Sequence, residues 1–211
     1  MRTAFAAALA EAGDFDVVIN NAGSGHFGPG ETIAASVVND QFQILVFAPI
    51  ELCQLALAAM RPRGRGLIIN VTSMAARLPV PFMSAYNAAK AALASFTMSL
   101  QLELDGSQIR LVDLQPADIR TSFNKSVVRP EAEPGAYEER VAQTWEVVDR
   151  NLNAAPGPER VARSIVDLID QDNPPPQITV GDFFQALVAP AIFRLLPQRI
   201  RVWGLRKYYR L

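Results

Sequence analysis

The chain reads as an α/β protein, a parallel sheet covered by helices, and three observations carry that reading. Short aliphatic runs alternate with long helical stretches along the sequence. The runs are apolar at consecutive positions, as in strands buried on both faces. The helical stretches end on helix-breaking residues, at Arg61-Pro62-Arg63-Gly64 and at Asp105-Gly106.

Taken in order, the segment from Met1 to Ala10 mimics a short signal peptide, but it continues through Glu11 toward a core strand and is read as a helix. The predicted strands are Asp16 to Asn20, Leu67 to Val71, Arg110 to Gln115 and Gln177 to Val180. The clearest helices are Ala34 to Met60, Ala85 to Leu104, and Pro158 to Asp170, the last stopping before Pro174-Pro175-Pro176. From Ser122 to Pro156 the chain is mixed, with Pro130, Pro134, Tyr137 and Trp145 and no clear strand. The tail at 183–211 joins an apolar run to six cations, Arg194, Arg199, Arg201, Arg206, Lys207 and Arg210, with no acidic residue. No repeat or second domain is visible, so 1–211 is expected to form a single domain.

With 211 residues, 50% of them hydrophobic, and a net charge of −1, the chain can bury a full core and offers nothing to a nucleic acid. Cys53 is the only cysteine and sits in an apolar helical stretch, so it reads as a core thiol in a reducing, cytoplasmic setting.

The chemistry concentrates in Ser84-Ala85-Tyr86-Asn87-Ala88-Ala89-Lys90. Residues at i and i+4 share a helix face, so Lys90 falls beside Tyr86, and an ammonium there favours the phenolate of a group whose ordinary pKa is about 10. Ser73 stands at the carboxyl end of the strand Leu67 to Val71, where an α/β sheet places its ligands. A Tyr-Lys spacing alone is common in solvated helix pairs. Its company here is Asn21-Ala22-Gly23 upstream and Gln115-Pro116-Ala117-Asp118-Ile119-Arg120-Thr121 downstream.

Gly23-Ser24-Gly25-His26-Phe27-Gly28 satisfies G-x-G-x-x-G after a strand, yet Pro29-Gly30 extends the loop and the helix starts later. It is not read as a dinucleotide fingerprint, whose helix starts among the glycines. His26, the only histidine, has no metal-ligand company; it reads as a surface or pocket-shaping residue with substrate contact as a weaker assignment, and no metal site is predicted. Asp118 and Arg120 read as a loop ion pair or solvated charges.

In this order, Asn21-Ala22-Gly23, Ser73, Tyr86, Lys90 and Pro116 to Thr121 resemble the short-chain dehydrogenase/reductase family from Phe5 to about Val180. The resemblance implies a Rossmann-like, doubly wound parallel sheet with NAD or NADP as cofactor. It also implies that the family's N-terminal glycine-rich turn has no counterpart in this sequence, so the strand at Asp16 to Asn20 is expected at a sheet edge in a fragment of about four strands, with no readable preference between the cofactors.

By the same resemblance Ser73 holds the substrate oxygen, Tyr86 carries the proton and Lys90 supports it while bonding the nicotinamide ribose. Asn21, Ala22 and Gly23 approach the ribose, Pro116 shapes the loop beside the nicotinamide, and Thr121 binds its carboxamide. Segment 122–156 corresponds to a substrate lid, with Phe123, Val127, Val128, Tyr137 and Trp145 as apolar wall candidates or as anchors of a surface excursion. Two positions depart from the pattern. Leu45 stands where the family carries an asparagine that holds a water, and Ala117 where it carries glycine.

The leading expectation is hydride transfer to or from a secondary alcohol or ketone with an apolar body, in a homodimer or homotetramer. The competing one is a non-catalytic remnant kept as a dimerisation module through the helices Ala34 to Met60 and Ala85 to Leu104. The tail fits a pocket cover or a subunit interface better than a membrane surface, which an apolar face with arginines would also suit.

Overall fold

The computed structural model describes residues 1–129 and 135–211; Pro130 and Pro134 lie outside them. Strands β1 (Val17–Asn20), β3 (Arg65–Val71), β4 (Gln108–Pro116) and β6 (Gln177–Val180) form one parallel sheet in the order β1-β3-β4-β6. Because every pair is parallel, all four carboxyl ends lie along one border, where Asn21, Thr72, Ala117 and Gly181 leave the sheet. Among the described residues β1 pairs only with β3, so it is an edge.

The pleat sorts side chains between two cores. Ile68, Ile109 and Leu111 point to one face and pack with Cys53, Ala56 and Met60 of α3 (Ala48–Met60). Leu67, Ile69, Val71, Val112 and Leu114 point to the other, against Leu168 of α7 (Glu159–Ile169). Burial on both faces is why the strands read as unbroken apolar runs. β3 and β4 extend two residues earlier than the predicted spans, through Arg65-Gly66 and Gln108-Ile109, because pairing with a neighbour recruits Arg65, Gly66 and Gln108, which have no apolar signature, and brings Ile109 into the core.

The predicted first helix is α1 (Arg2–Ala12), without a buried residue. Arg63 then anchors the approach to β1: it donates to the Phe15 carbonyl at 2.6 Å and lies 3.1 Å from the Asp16 carboxylate. The long helix expected from Ala34 is α2 (Ala35–Phe42) and α3 joined by a π-helical turn, Gln43–Phe47. That turn brings Leu45 and Val46, adjacent in sequence, both into the interior. The helix stops as expected at Gly64, whose φ of 70° is the left-handed region that glycine enters without strain. α4 (Ser84–Glu103) matches the second long helix and ends before Gly106, at φ 75°.

The stretch from Ser122 differs from expectation. It contains α5 (Phe123–Ser126), strand β5 (Val127–Val128) and α6 (Glu138–Ala154). β5 pairs in parallel with β2 (Gly25–His26), a two-stranded sheet too short for any sequence periodicity to signal. A Cβ on Gly25 would lie 3.1 Å from both Phe123 and Val127, so the absence of a side chain there lets the two segments close. The tail folds as a π-helical turn (Phe184–Val188), α8 (Ala189–Leu195) and α9 (Gln198–Tyr208).

Between β1, β3 and α4 runs a buried polar chain. Asn20 donates to Asn70 Oδ1 at 2.7 Å, Asn70 to Thr97 Oγ1 at 2.9 Å, and Thr97 to the Leu93 carbonyl at 2.7 Å. Asn70→Ala takes the closest acceptor from Asn20, leaving it the longer contacts to the Pro49 carbonyl and the Cys53 thiol, and takes from Thr97 the donor it accepts from, and the expected cost is about 2 kcal/mol of stability. Urea unfolding of the variant beside the wild type measures it.

Candidate active site

Ser73 follows β3 and caps a 3-10 turn, Met74–Ala76, its Oγ accepting from the Ala75 amide at 3.1 Å. Tyr86 sits in the first turn of α4 with Lys90 one turn on. Asn87 staples the intervening loop to the helix, donating to the Val80 carbonyl at 2.8 Å and accepting from the Val80 amide at 3.3 Å. The sheet border and the helix start therefore face each other, and the Ser73 hydroxyl reaches the Tyr86 phenol as a hydrogen-bond partner.

Lys90 is buried, donates to the Val71 carbonyl at 2.8 Å, and holds its ammonium 5.8 Å from the centre of the Tyr86 ring. Burial pulls it down to about 8, opposed by the charge of Asp113. The phenol does not follow the expectation that Lys90 lowers it. Burial raises the Tyr86 pKa, and the bond to Ser73 offsets only part of that rise. Desolvation wins because the hydroxyl has no charge in contact, so Tyr86 keeps its proton at neutral pH.

These three residues line a cavity of about 810 Å³ together with Asn21, Ala22, Gly23, Pro116, Thr121 and Phe123. Thus the structure gathers the serine, the tyrosine, the lysine and all the expected cofactor contacts at one border of the sheet. NAD or NADP was the cofactor expected, and the residues fit its nicotinamide end. Small residues at Ala22 and Gly23 admit close backbone approach, and Lys90 has three donors with one protein partner, the Val71 carbonyl, among the described residues.

Other expectations are corrected. His26 is buried in β2 and lines neither this cavity nor a second one beneath the tail, because pairing with Val128 of β5 holds it in the two-stranded sheet. Val127, Val128, Tyr137 and Trp145 also stay off the cavity walls. Trp145 stacks edge-on against Phe27 at 4.8 Å, and Tyr137 donates to Glu31 at 2.6 Å. Val148, Asn151 and Leu152 of α6 take the wall instead. Asp118 does not pair with Arg120; Gln185 of the tail donates to its carboxylate at 2.6 Å. Leu45 is fully buried against Ala89 and Tyr86, in an apolar cluster with Val46, Phe42 and Ile50.

The sequence reading missed Asp113. It accepts from Thr72, from Gln115 at 2.6 Å and from Gln177 at 2.8 Å, 3% exposed behind the site. Its signal was present, a lone carboxylate inside Leu111-Val112-Asp113-Leu114. A second cavity of about 550 Å³ was also missed. It shares Ser73, Pro116, Asn151 and Tyr209 with the first and runs under α8 and α9.

Depression of a lysine in the folded state leaves more protons on the unfolded chain between the two values, so stability rises with pH in that window. For Lys90 the window runs from about 8 to 10.5. Tyr86 and Tyr209, raised by burial, act the opposite way only above about 10. Urea midpoints across the window should therefore climb more steeply in the wild type than in Lys90→Met.

Comparison with known proteins agrees with this geometry. The family model described as short chain dehydrogenase matches residues 1–132. A 3-ketodihydrosphingosine reductase of Bacteroides thetaiotaomicron is 28% identical over 211 residues, covering 99% of this chain and 78% of that protein. The crystal structure of a short-chain dehydrogenase from Streptomyces avermitilis superposes with a TM-score of 0.78 at 29% identity, over 99% of this chain and 74% of that one. A metagenomic short-chain oxidoreductase in complex with NADP gives a TM-score of 0.64 at 26% identity, over 84% of this chain and 66% of that one. Across curated relatives the chain spans from 57% to 78% of their length. The chain belongs to the short-chain dehydrogenase family.

Proposed function

We propose that the protein is an NAD(P)-dependent oxidoreductase acting on a secondary alcohol or ketone with an apolar body, with Tyr86 as proton donor and acceptor. The observation that carries this is the meeting of Ser73, Tyr86 and Lys90 in one cavity walled by Asn21, Ala22, Gly23, Pro116 and Thr121. NAD or NADP, bound there, would supply or accept the hydride. Ser73 holds the substrate oxygen by a hydrogen bond. Tyr86, protonated at neutral pH, gives that oxygen its proton during reduction and removes it during oxidation. Lys90 stabilises the phenolate that results and offers its remaining donors to the ribose. Family membership supports the cofactor, and a relative named for a 3-keto compound supports a ketone substrate.

The second cavity supports the apolar body. Ala154, Ala155, Ile192, Phe193 and Leu205 line it, and its neck adjoins Ser73. Exposed Ile44 and Phe47 on one helix, with Met98 and Leu102 on α4, support pairing of copies into a homodimer or homotetramer. The buried Cys53 thiol, pushed up to about 11 by burial, suits a reducing cytoplasm.

The apolar wall at Leu45 favours a second reading, an interaction module without turnover. Titration with NADH and NADPH separates the two, since saturable binding belongs to the first alone. Tyr86→Phe is expected to lower kcat by about 100-fold or more while cofactor binding persists; full turnover would refute the proton role. A Cβ on Gly204, which lines the second cavity, meets nothing within 4 Å, so Gly204→Trp has room to fill that space. Activity on dodecanone should fall in this variant by about fourfold for each methylene displaced, at ~0.8 kcal/mol per buried methylene, with butanone unaffected.

A further inference from the structure

Helices α8 and α9 have two unlike sides. Inward, Leu205 and Tyr208 line the second cavity, Tyr209 is buried, and Asn151 of α6 donates to the Tyr208 hydroxyl at 2.7 Å. Outward, Leu195 is 84% exposed and Trp203 62%, with Ile200 and Val202 also in solvent. Arg199, Val202, Trp203 and Arg206 follow one another at helical spacing in α9, which sets cations and apolar groups on one face, and Arg210 follows just beyond the helix end. All six cations of this tail lack an acidic residue among them, from Phe183 to the end of the sequence.

We propose that this outer face docks on an anionic lipid bilayer. The charge pattern selects that occupant. A second copy laid on the same face about a two-fold axis would set arginine against arginine. A nucleic acid would take the arginines but gives Leu195, Val202 and Trp203 nothing apolar to enter. A bilayer surface satisfies both sets, with acyl chains for the apolar groups, a headgroup level for the indole and anionic headgroups for the cations. At 7 and 11 residues the helices are too short to cross the hydrocarbon and long enough to lie in its boundary. Their inner side walls the cavity that adjoins Ser73, so docking would bring that cavity next to the lipid.

Flotation of the whole protein with vesicles tests this. Binding is expected to phosphatidylcholine vesicles carrying phosphatidylglycerol, to weaken as salt rises, and to be absent from pure phosphatidylcholine. Each of Arg199→Gln, Arg206→Gln and Arg210→Gln should weaken partitioning about fivefold, and Leu195→Glu with Trp203→Glu by at least about tenfold, all with wild-type urea midpoints. A blue shift of tryptophan emission on binding should disappear in Trp203→Phe. Absence of flotation at low salt overturns the proposal, as does equal binding to neutral vesicles. So does a dimer in solution that Leu195→Glu with Trp203→Glu dissociates, or tighter binding to an oligonucleotide than to the vesicles.

Discussion

An ammonium taken out of water loses hydration worth several kcal/mol, and the surroundings of Lys90 are organised around that loss. The Val71 carbonyl at 2.8 Å supplies a direct partner and the Asp113 carboxylate, on the face of β4 that α4 covers, supplies opposing charge. Val71 can do this only because β3 ends there, with its last carbonyl facing α4 rather than another strand. Asp113 can do it only because Thr72, Gln115 and Gln177 hydrogen-bond a carboxylate that burial would otherwise expel. One charge thus ties together β3, β4, β6 and the first turns of α4. The same low-dielectric setting raises Tyr86 and keeps its proton in place.

How much of this was legible depended on distance along the chain. Tyr86 and Lys90 are four apart on a helix, and Ser73 ends an apolar run, so their convergence followed from local geometry plus a parallel sheet. The stops at Gly64 and Gly106 were equally local. The pairing of Gly25–His26 with Val127–Val128 was not, since strands of two residues carry no period and their partners lie far apart in sequence. His26 was misplaced for that reason. The π-helical turn at Gln43–Phe47 was hidden as well, because it falls in the apolar run Ile44 to Ile50, where an inserted residue leaves no break in the pattern.

The tail shows the same limit from another side. Its composition, apolar with cations, is compatible with a pocket cover, a subunit contact or a lipid surface, and composition alone does not rank them. The fold divides the residues: Leu205 and Tyr209 turn inward, Leu195, Val202 and Trp203 outward. Covering a cavity and meeting a surface are then tasks for opposite faces of the same two helices.

The division between what is fixed and what is free runs through the site in a similar way. On the proposed cofactor side, the cavity is walled by residues locked to the sheet border: Asn21 to Gly23 after β1, Ser73 after β3 and Pro116 at the end of β4. Moving any of them would require shifting a strand, and a one-residue slip would turn its buried side chains to the wrong face. The wall of the second cavity, the proposed substrate side, comes instead from α6 and the tail, tied to the sheet border by few polar contacts, such as Gln185 on Asp118. Residues such as Ala155, Ile192 and Gly204 can change there without disturbing the sheet. A sequence built this way declares its reaction in residues the fold cannot spare, while its substrate is written in residues that the fold scarcely constrains.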